Sequence, residues 1–208
     1  MEHKHQLYTL FPITVMGSSL DREFSEDELR FVEETIHTTI LNGMGNQISK
    51  NKKILEEPQM QRILQWVNSA LKSYVEDIMK ISGIELYVTN SWLNVAHPGQ
   101  FHTKHDHPNS IVSGVLYLNT KPSDKIVFLN DDRSIWLMNH TELNIHNSVS
   151  WWLPAIEGSL YLFPSTLMHE VPPNESDDLR ISISFNTFFT GAMGSDDSVT
   201  RLDLPKIV

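Results

Sequence analysis

Apolar positions divide the chain into a helical first part and a strand-rich second part. Residues 6–16 (Gln-Leu-Tyr-Thr-Leu-Phe-Pro-Ile-Thr-Val-Met) are dense in β-branched and aromatic types and read as an extended segment, with Pro12 favouring a sheet edge. Ser25 precedes Glu28 by three positions, the spacing of a capping box. Leu29, Val32, Ile36 and Ile40 then recur at helical intervals, which predicts a helix running to about Asn42–Gly43. The polar stretch 45–53 reads as a loop. Pro58 suits a first helical turn, and Met60, Ile63, Leu64, Val67, Leu71, Val75 and Ile78 form one apolar stripe that Lys80 and Gly83 close.

From Ile84 the pattern shortens to strands, at 84–96, 111–119, 125–129, 143–150, 159–163 and 181–189, with turn residues between. Strands that follow one another without helices imply an antiparallel sandwich or barrel. The two helices then serve as scaffold over one face of a sheet. Segment 130–158 is long, carries Asn130-Asp131-Asp132-Arg133 and Trp151-Trp152, and is placed to form a rim or lid. No repeat, low-complexity tract or linker divides the chain.

Composition narrows the chemistry. With 208 residues, 40% hydrophobic and 20% charged, the chain matches a globular protein of one sizeable domain. No apolar run approaches the ~20 residues of a membrane helix, and the first residues show no secretory signal. The absence of cysteine excludes disulfides, thiolate metal sites and cysteine nucleophiles, and fits a cytoplasmic protein. A net charge of −10 disfavours nucleic acid as a partner. Base rates for soluble proteins make a homodimer the default oligomer.

Ten histidines are many for this length, and their placement carries the signal. The stretch Gly99-Gln-Phe-His-Thr-Lys-His-Asp-His-Pro contains His102, His105 and His107. In a strand, positions i and i+2 point the same way, so His105 and His107 would project together with Asp106 opposite. Two such imidazoles can share an iron, zinc, copper or nickel ion. His169, which follows the strand at 159–163, offers a third ligand on the same face. Farther on, residues 180–189 alternate Ile181, Ile183 and Phe185 with Arg180, Ser182, Ser184 and Asn186. If that polar face is internal, Arg180 and Ser182 form a seat for one carboxylate of a dicarboxylic acid. If it is external, the strand is merely half-exposed.

His105-x-His107, Ser113-Gly-Val-Leu-Tyr117, Phe163-Pro-Ser, His169 and Arg180-x-Ser182 together resemble a 2-oxoglutarate/Fe(II) oxygenase family of bacteria and phages, distantly related to the prolyl hydroxylases. The resemblance covers residues 90–189, about half the chain. It implies a mainly β fold, a double-stranded β-helix or jelly roll, with two N-terminal helices packed on one sheet. The chain would then form a single domain, with a strand and two supporting helices in 1–83, the jelly-roll core in 84–190 and a tail in 191–208. The resemblance carries His105, His107 and His169 over as ligands of Fe(II) and Arg180 as the anchor of the co-substrate 2-oxoglutarate. Ser182, Tyr117 and Asn94 are further candidates for co-substrate contacts. The implied reaction hydroxylates a C–H bond of a small-molecule or peptide substrate, with release of succinate and CO2.

One departure stands out. The superfamily pattern is His-x-Asp…His, whereas here His107 fills the carboxylate position and Asp106 is the open alternative. Two other classes stay in view. A cupin that does not use 2-oxoglutarate matches Gly99-x5-His105-x-His107 but lacks the expected glutamate and leaves Arg180 unexplained. A non-catalytic jelly-roll binding module would make the histidines incidental.

Overall fold

Alternation along the strands settles which side of each sheet meets the helices. The computed structural model describes residues 5–130 and 139–205. In chain order the elements are β1 (Met16–Ser19), α1 (Glu26–Ile36), β2 (Thr39–Leu41), β3 (Gln47–Ser49), α2 (Gln61–Ser73), β4 (Ile84–Ala96), β5 (His102–His105), β6 (Val112–Asn119), β7 (Lys125–Leu129), β8 (Ser150–Pro154), β9 (Ser159–Pro164), β10 (His169–Val171), β11 (Arg180–Met193) and β12 (Leu202–Leu204). The major sheet runs β1-β9-β6-β11-β4-β3-β2, with β12 joined to β11, and the minor sheet runs β5-β10-β7-β8. The named strands pair antiparallel, as a jelly roll requires.

The major sheet is buried on both faces. Leu93 and Val95 of β4, Leu116 and Leu118 of β6, and Ile181, Ile183 and Phe185 of β11 pack against Val32 of α1 and Ile63, Val67 and Leu71 of α2. The alternate residues face the minor sheet, where Val115 and Tyr117 of β6 and Phe163 of β9 meet Ile126 and Phe128 of β7. The polar series Arg180, Ser182, Ser184 and Asn186 therefore points between the sheets, because its apolar partners are claimed by the helices. The internal reading of that strand is the correct one.

Helix α1 begins as its sequence dictates. Ser25 accepts from the Glu28 backbone N–H, and the Glu28 carboxylate accepts from the Ser25 N–H at 2.7 Å. Arg22 grips the same buried carboxylate at 2.6 and 2.8 Å. Burial raises the Glu28 pKa, but Arg22 and Ser25 outweigh it and the net shift is downward. The helix stops at Ile36, short of the predicted Asn42–Gly43. Thr38, Thr39, Ile40 and Leu41 favour extension over helix, and Thr39–Leu41 pairs with Gln47–Ser49 inside the stretch expected to be loop. Leu29 and Ile40, counted above in the apolar stripe, are exposed.

The second helix buries its stripe from Met60 to Val75, entered at Pro58 and widened to a π-turn over Tyr74–Ile78, but Ile78 at its end is exposed. Two further expectations shift. Only Met16 of segment 6–16 enters a strand, so the sheet edge is Met16–Ser19. The strand expected at 143–150 forms instead at Ser150–Pro154. The Asn144 and Asn147 carboxamides accept from the His146 and Asn144 backbone N–H groups, turn chemistry that outcompetes extension. Residues 131–138 of the expected rim lie outside the described residues. Trp151 and Trp152 are exposed on β8 rather than beside the histidines. Among the described residues no helix is long and apolar enough to cross a membrane.

Candidate active site

The three histidines named from the sequence meet. One nitrogen of each of His105, His107 and His169 lies within 4.8 Å of the others. Their ring centroids are 4.2 to 5.1 Å apart. His105 closes β5 and pairs in register with His169, which opens β10, so the sheet ladder sets these two side by side. His107 arrives differently from the expected strand alternation. β5 ends at His105, and the His107 backbone N–H donates to the Ser165 carbonyl at 2.9 Å, hooking the chain over the β9–β10 turn. Pro108 and the positive φ of Asn109 continue that turn.

Backbone carbonyls set the histidine tautomers. Nδ1 of His105 lies 2.7 Å from the Thr103 carbonyl, and Nδ1 of His169 lies 2.9 Å from that of Leu167. A carbonyl only accepts, so each Nδ1 carries the proton and each Nε2 keeps its lone pair for a metal. Burial, reinforced by repulsion from neighbouring imidazoles, lowers His169 to about 3 and His107 to about 4. His105 shifts down mainly by burial as well. All three are neutral near pH 7, the form that binds metal. Phe163 packs its ring against that of His169 at 4.9 Å and holds it in place.

Asp106 is exposed and is not part of the convergent group. His102 was noted in the sequence but not singled out. Its ring stacks on His105 at 4.1 Å, and burial lowers it to about 3. Only the bend of β5 makes that visible, since His102 and His105 would alternate to opposite faces of a regular strand.

Beside the histidines, Arg180, Ser182, Ser184, Asn94, Trp92 and Tyr117 line one pocket with them. Register explains the grouping. Ser182 of β11 lies opposite Asn94 of β4 on one side and Tyr117 of β6 on the other, so three candidate residues form a row across adjacent strands. Arg180 is buried and donates from Nη1 to Asp124 at 2.9 Å and from Nη2 to the Pro172 carbonyl at 2.8 Å. These bonds fix the guanidinium plane and leave three of its five N–H groups to offer. Asp124, buried and 56 positions away in sequence, carried no signal that could have marked it as this partner. Asn94 is committed locally, since its oxygen accepts from Trp92 and Asn46 and its amide donates to Ser184.

The Tyr117 hydroxyl is the exception to this satisfied network. It is fully buried and has no hydrogen-bond partner among the described residues. Burial raises the phenol's pKa, so it stays protonated and able to donate. A buried hydroxyl without a partner costs about 1–3 kcal/mol. An anionic oxygen entering between Tyr117 and Arg180 would remove that cost. The residues therefore fit both a divalent metal and a carboxylate beside it.

Comparison with known proteins agrees with this geometry. Residues 90–186 match the family described as "Putative 2OG-Fe(II) oxygenase". No curated protein sequence matches the chain. Among solved structures, a Pseudomonas putida prolyl-4-hydroxylase aligns at TM-score 0.55 and 18% identity, over 84% of this chain and 92% of that one. A Trichoplax adhaerens prolyl hydroxylase, in complex with a peptide fragment of a hypoxia inducible factor, aligns at 0.56 and 16%, over 85% and 83%. HygX of Streptomyces hygroscopicus, with nickel, 2-oxoglutarate and hygromycin B bound, aligns at 0.55 and 11%, over 84% and 82%. At these identities the structures share the fold. The matched segment contains the histidines, Tyr117 and Arg180, and together with the shared fold it indicates a 2OG-Fe(II) oxygenase, a dioxygenase that uses Fe(II) and 2-oxoglutarate.

Proposed function

We propose that His105, His107 and His169 hold the iron through one nitrogen each, while Arg180 and Tyr117 grip the distal carboxylate of 2-oxoglutarate with Ser182 beside them. The partnerless Tyr117 hydroxyl carries this reading, because it is a donor waiting for an acceptor next to a buried guanidinium. Asn94 acts indirectly, holding Trp92 and Ser184 in place. His107 rather than Asp106 is the third ligand, since its nitrogen converges with the other two and the Asp106 carboxylate stays in solvent.

When bound, iron and 2-oxoglutarate supply the oxidising power, drawn from O2 with release of succinate and CO2. The chain's own residues bind, orient and exclude water. Carbonyl-held tautomers aim the His105 and His169 nitrogens, and the Asp124–Arg180–Pro172 chain fixes the anchor. The oxidised substrate is a small molecule or a peptide, and the reaction is hydroxylation of a C–H bond.

Anaerobic Fe(II) titration of the parent, His107→Ala and Asp106→Asn tests the ligand set. Loss of tight stoichiometric binding in His107→Ala, and its retention in Asp106→Asn, is expected. The reverse pattern would transfer the third position to Asp106. Succinate formation dependent on 2-oxoglutarate and O2 completes the test, and its absence in iron-loaded parent protein defeats the functional reading.

A further inference from the structure

The histidines separate two cavities, and the second speaks to what is oxidised. A groove of about 400 Å³ lies on the side away from Arg180 and shares Trp92, His102, His105 and His107 with the first pocket. Its other walls include Asn90, Asn186, Lys52 and Asp106. Asn186 lies opposite Asn90 in the ladder that also pairs Ser184 with Trp92 and Ser182 with Asn94. One polar row thus runs from the Arg180 seat past the histidines into the groove.

Hydrogen-bond accounting gives the groove a surplus of donors. The Asn186 oxygen accepts from Ser113 at 2.9 Å and the Asn90 oxygen from Thr89 at 2.9 Å. Each amide keeps its NH2 to offer. Lys52 donates to the Ser49 carbonyl and pairs with no carboxylate among the described residues. Burial lowers its pKa, and no neighbouring anion counters that shift. The Lys52 carbonyl accepts from Ser91, which sets the lysine beside Asn90 and Trp92. Along β4 that position is five residues from Ala96, the register partner of Arg180. At ~3.4 Å per strand residue, the backbone positions that carry the two side chains are about 17 Å apart along β4. Asp106, exposed, is the acid among the described lining residues, and it disfavours an anion at the histidine end.

We propose that this groove binds the molecule to be oxidised, and that this molecule is a small carboxylate-bearing compound whose anion sits at Lys52 between the Asn90 and Asn186 amides. The inference rests on the function proposed above and adds the substrate's chemical class. The carboxylate end anchors at Lys52, and the remainder extends over Trp92 towards the histidines and Asp106.

Matched pairs test it. Free L-amino acids and their N-acetyl derivatives, each beside its own carboxamide, are titrated calorimetrically. The protein is used metal-free and also loaded with Ni(II) and saturating 2-oxoglutarate, so that Arg180 is occupied. At least one acid should bind roughly tenfold or more tightly than its amide, the worth of one charge-assisted hydrogen bond. Lys52→Met should collapse that difference to under about threefold, and Lys52→Arg should keep it. Binding by no acid, equal binding of acid and amide, or a difference that survives Lys52→Met overturns the proposal. Failure of the oxygenase reading shows separately, as iron-loaded parent protein that forms no succinate whatever the acid–amide difference.

Discussion

Replacing Tyr117 with Phe should raise the stability of the empty protein and weaken 2-oxoglutarate at the same time. The substitution removes one oxygen and keeps the ring among Val115, Ile126 and Phe163. In the empty protein that oxygen is buried without a partner, and relief from its desolvation is worth about 1–3 kcal/mol. A gain of 1 kcal/mol raises the melting temperature of a protein this size by about 2–4 °C. In the proposed complex the same hydroxyl would donate to the co-substrate carboxylate, a bond worth about 1.5–3 kcal/mol, so the variant should lose roughly 10- to 150-fold in affinity. Urea unfolding of metal-free parent and variant measures the first effect. Calorimetric 2-oxoglutarate titration of the Ni(II)-loaded proteins measures the second. A variant less stable than the parent would mean that the hydroxyl already has a partner. Unchanged affinity would remove Tyr117 from the co-substrate seat.

Much of this site was legible because it is written in local periodicity. Ile181, Ile183 and Phe185 alternate cleanly with Arg180, Ser182 and Ser184, so one face of β11 had to be apolar. What alternation does not state is which face is the inside, since both a water-facing and a cleft-facing polar row read alike. The two amphipathic helices decide it by covering the apolar side. His105 and His169 follow from strand ends, but the route of His107 does not. It depends on one hydrogen bond to the Ser165 carbonyl, a contact between segments distant in the chain. Asp124 and Lys52 were invisible for the same reason. Their significance lies in what they face, Arg180 in one case and an open groove in the other. The overlong first helix has a different origin. Ile40 fits the helical period by chance, and Thr38 and Thr39 prefer extension once β3 is there to pair.

Three further outcomes follow from the geometry. Gly114→Ala would place a Cβ 2.2 Å from the Phe185 Cζ, and because Phe185 is completely buried, the clash should cost about 1–3 kcal/mol in urea unfolding. Asp124→Ala strands the Arg180 guanidinium in a site only 7% exposed and should cost about 3–5 kcal/mol, with 2-oxoglutarate stabilising the variant more than the parent by restoring a counter-charge. A variant as stable as the parent would show that water already screens the pair. The metal-free protein should also weaken as pH falls below about 6.5. Burial holds His169 and His102 near 3 and His107 near 4 in the folded state, against 6.5 for an ordinary imidazole. Between those values the unfolded chain binds protons that the folded one refuses, so acid favours unfolding. This stability is complete above pH 6.5 and is lost as pH drops towards 4. His169, only 4% exposed, alone approaches a slope of about 1.4 kcal/mol per pH unit. Measurement between pH 5 and 6.5 isolates the histidines, because Glu28, held below its usual 4.5, titrates lower. Urea midpoints that stay flat across this window, or a slope that persists unchanged in His169→Gln, would show that these imidazoles are hydrated rather than packed.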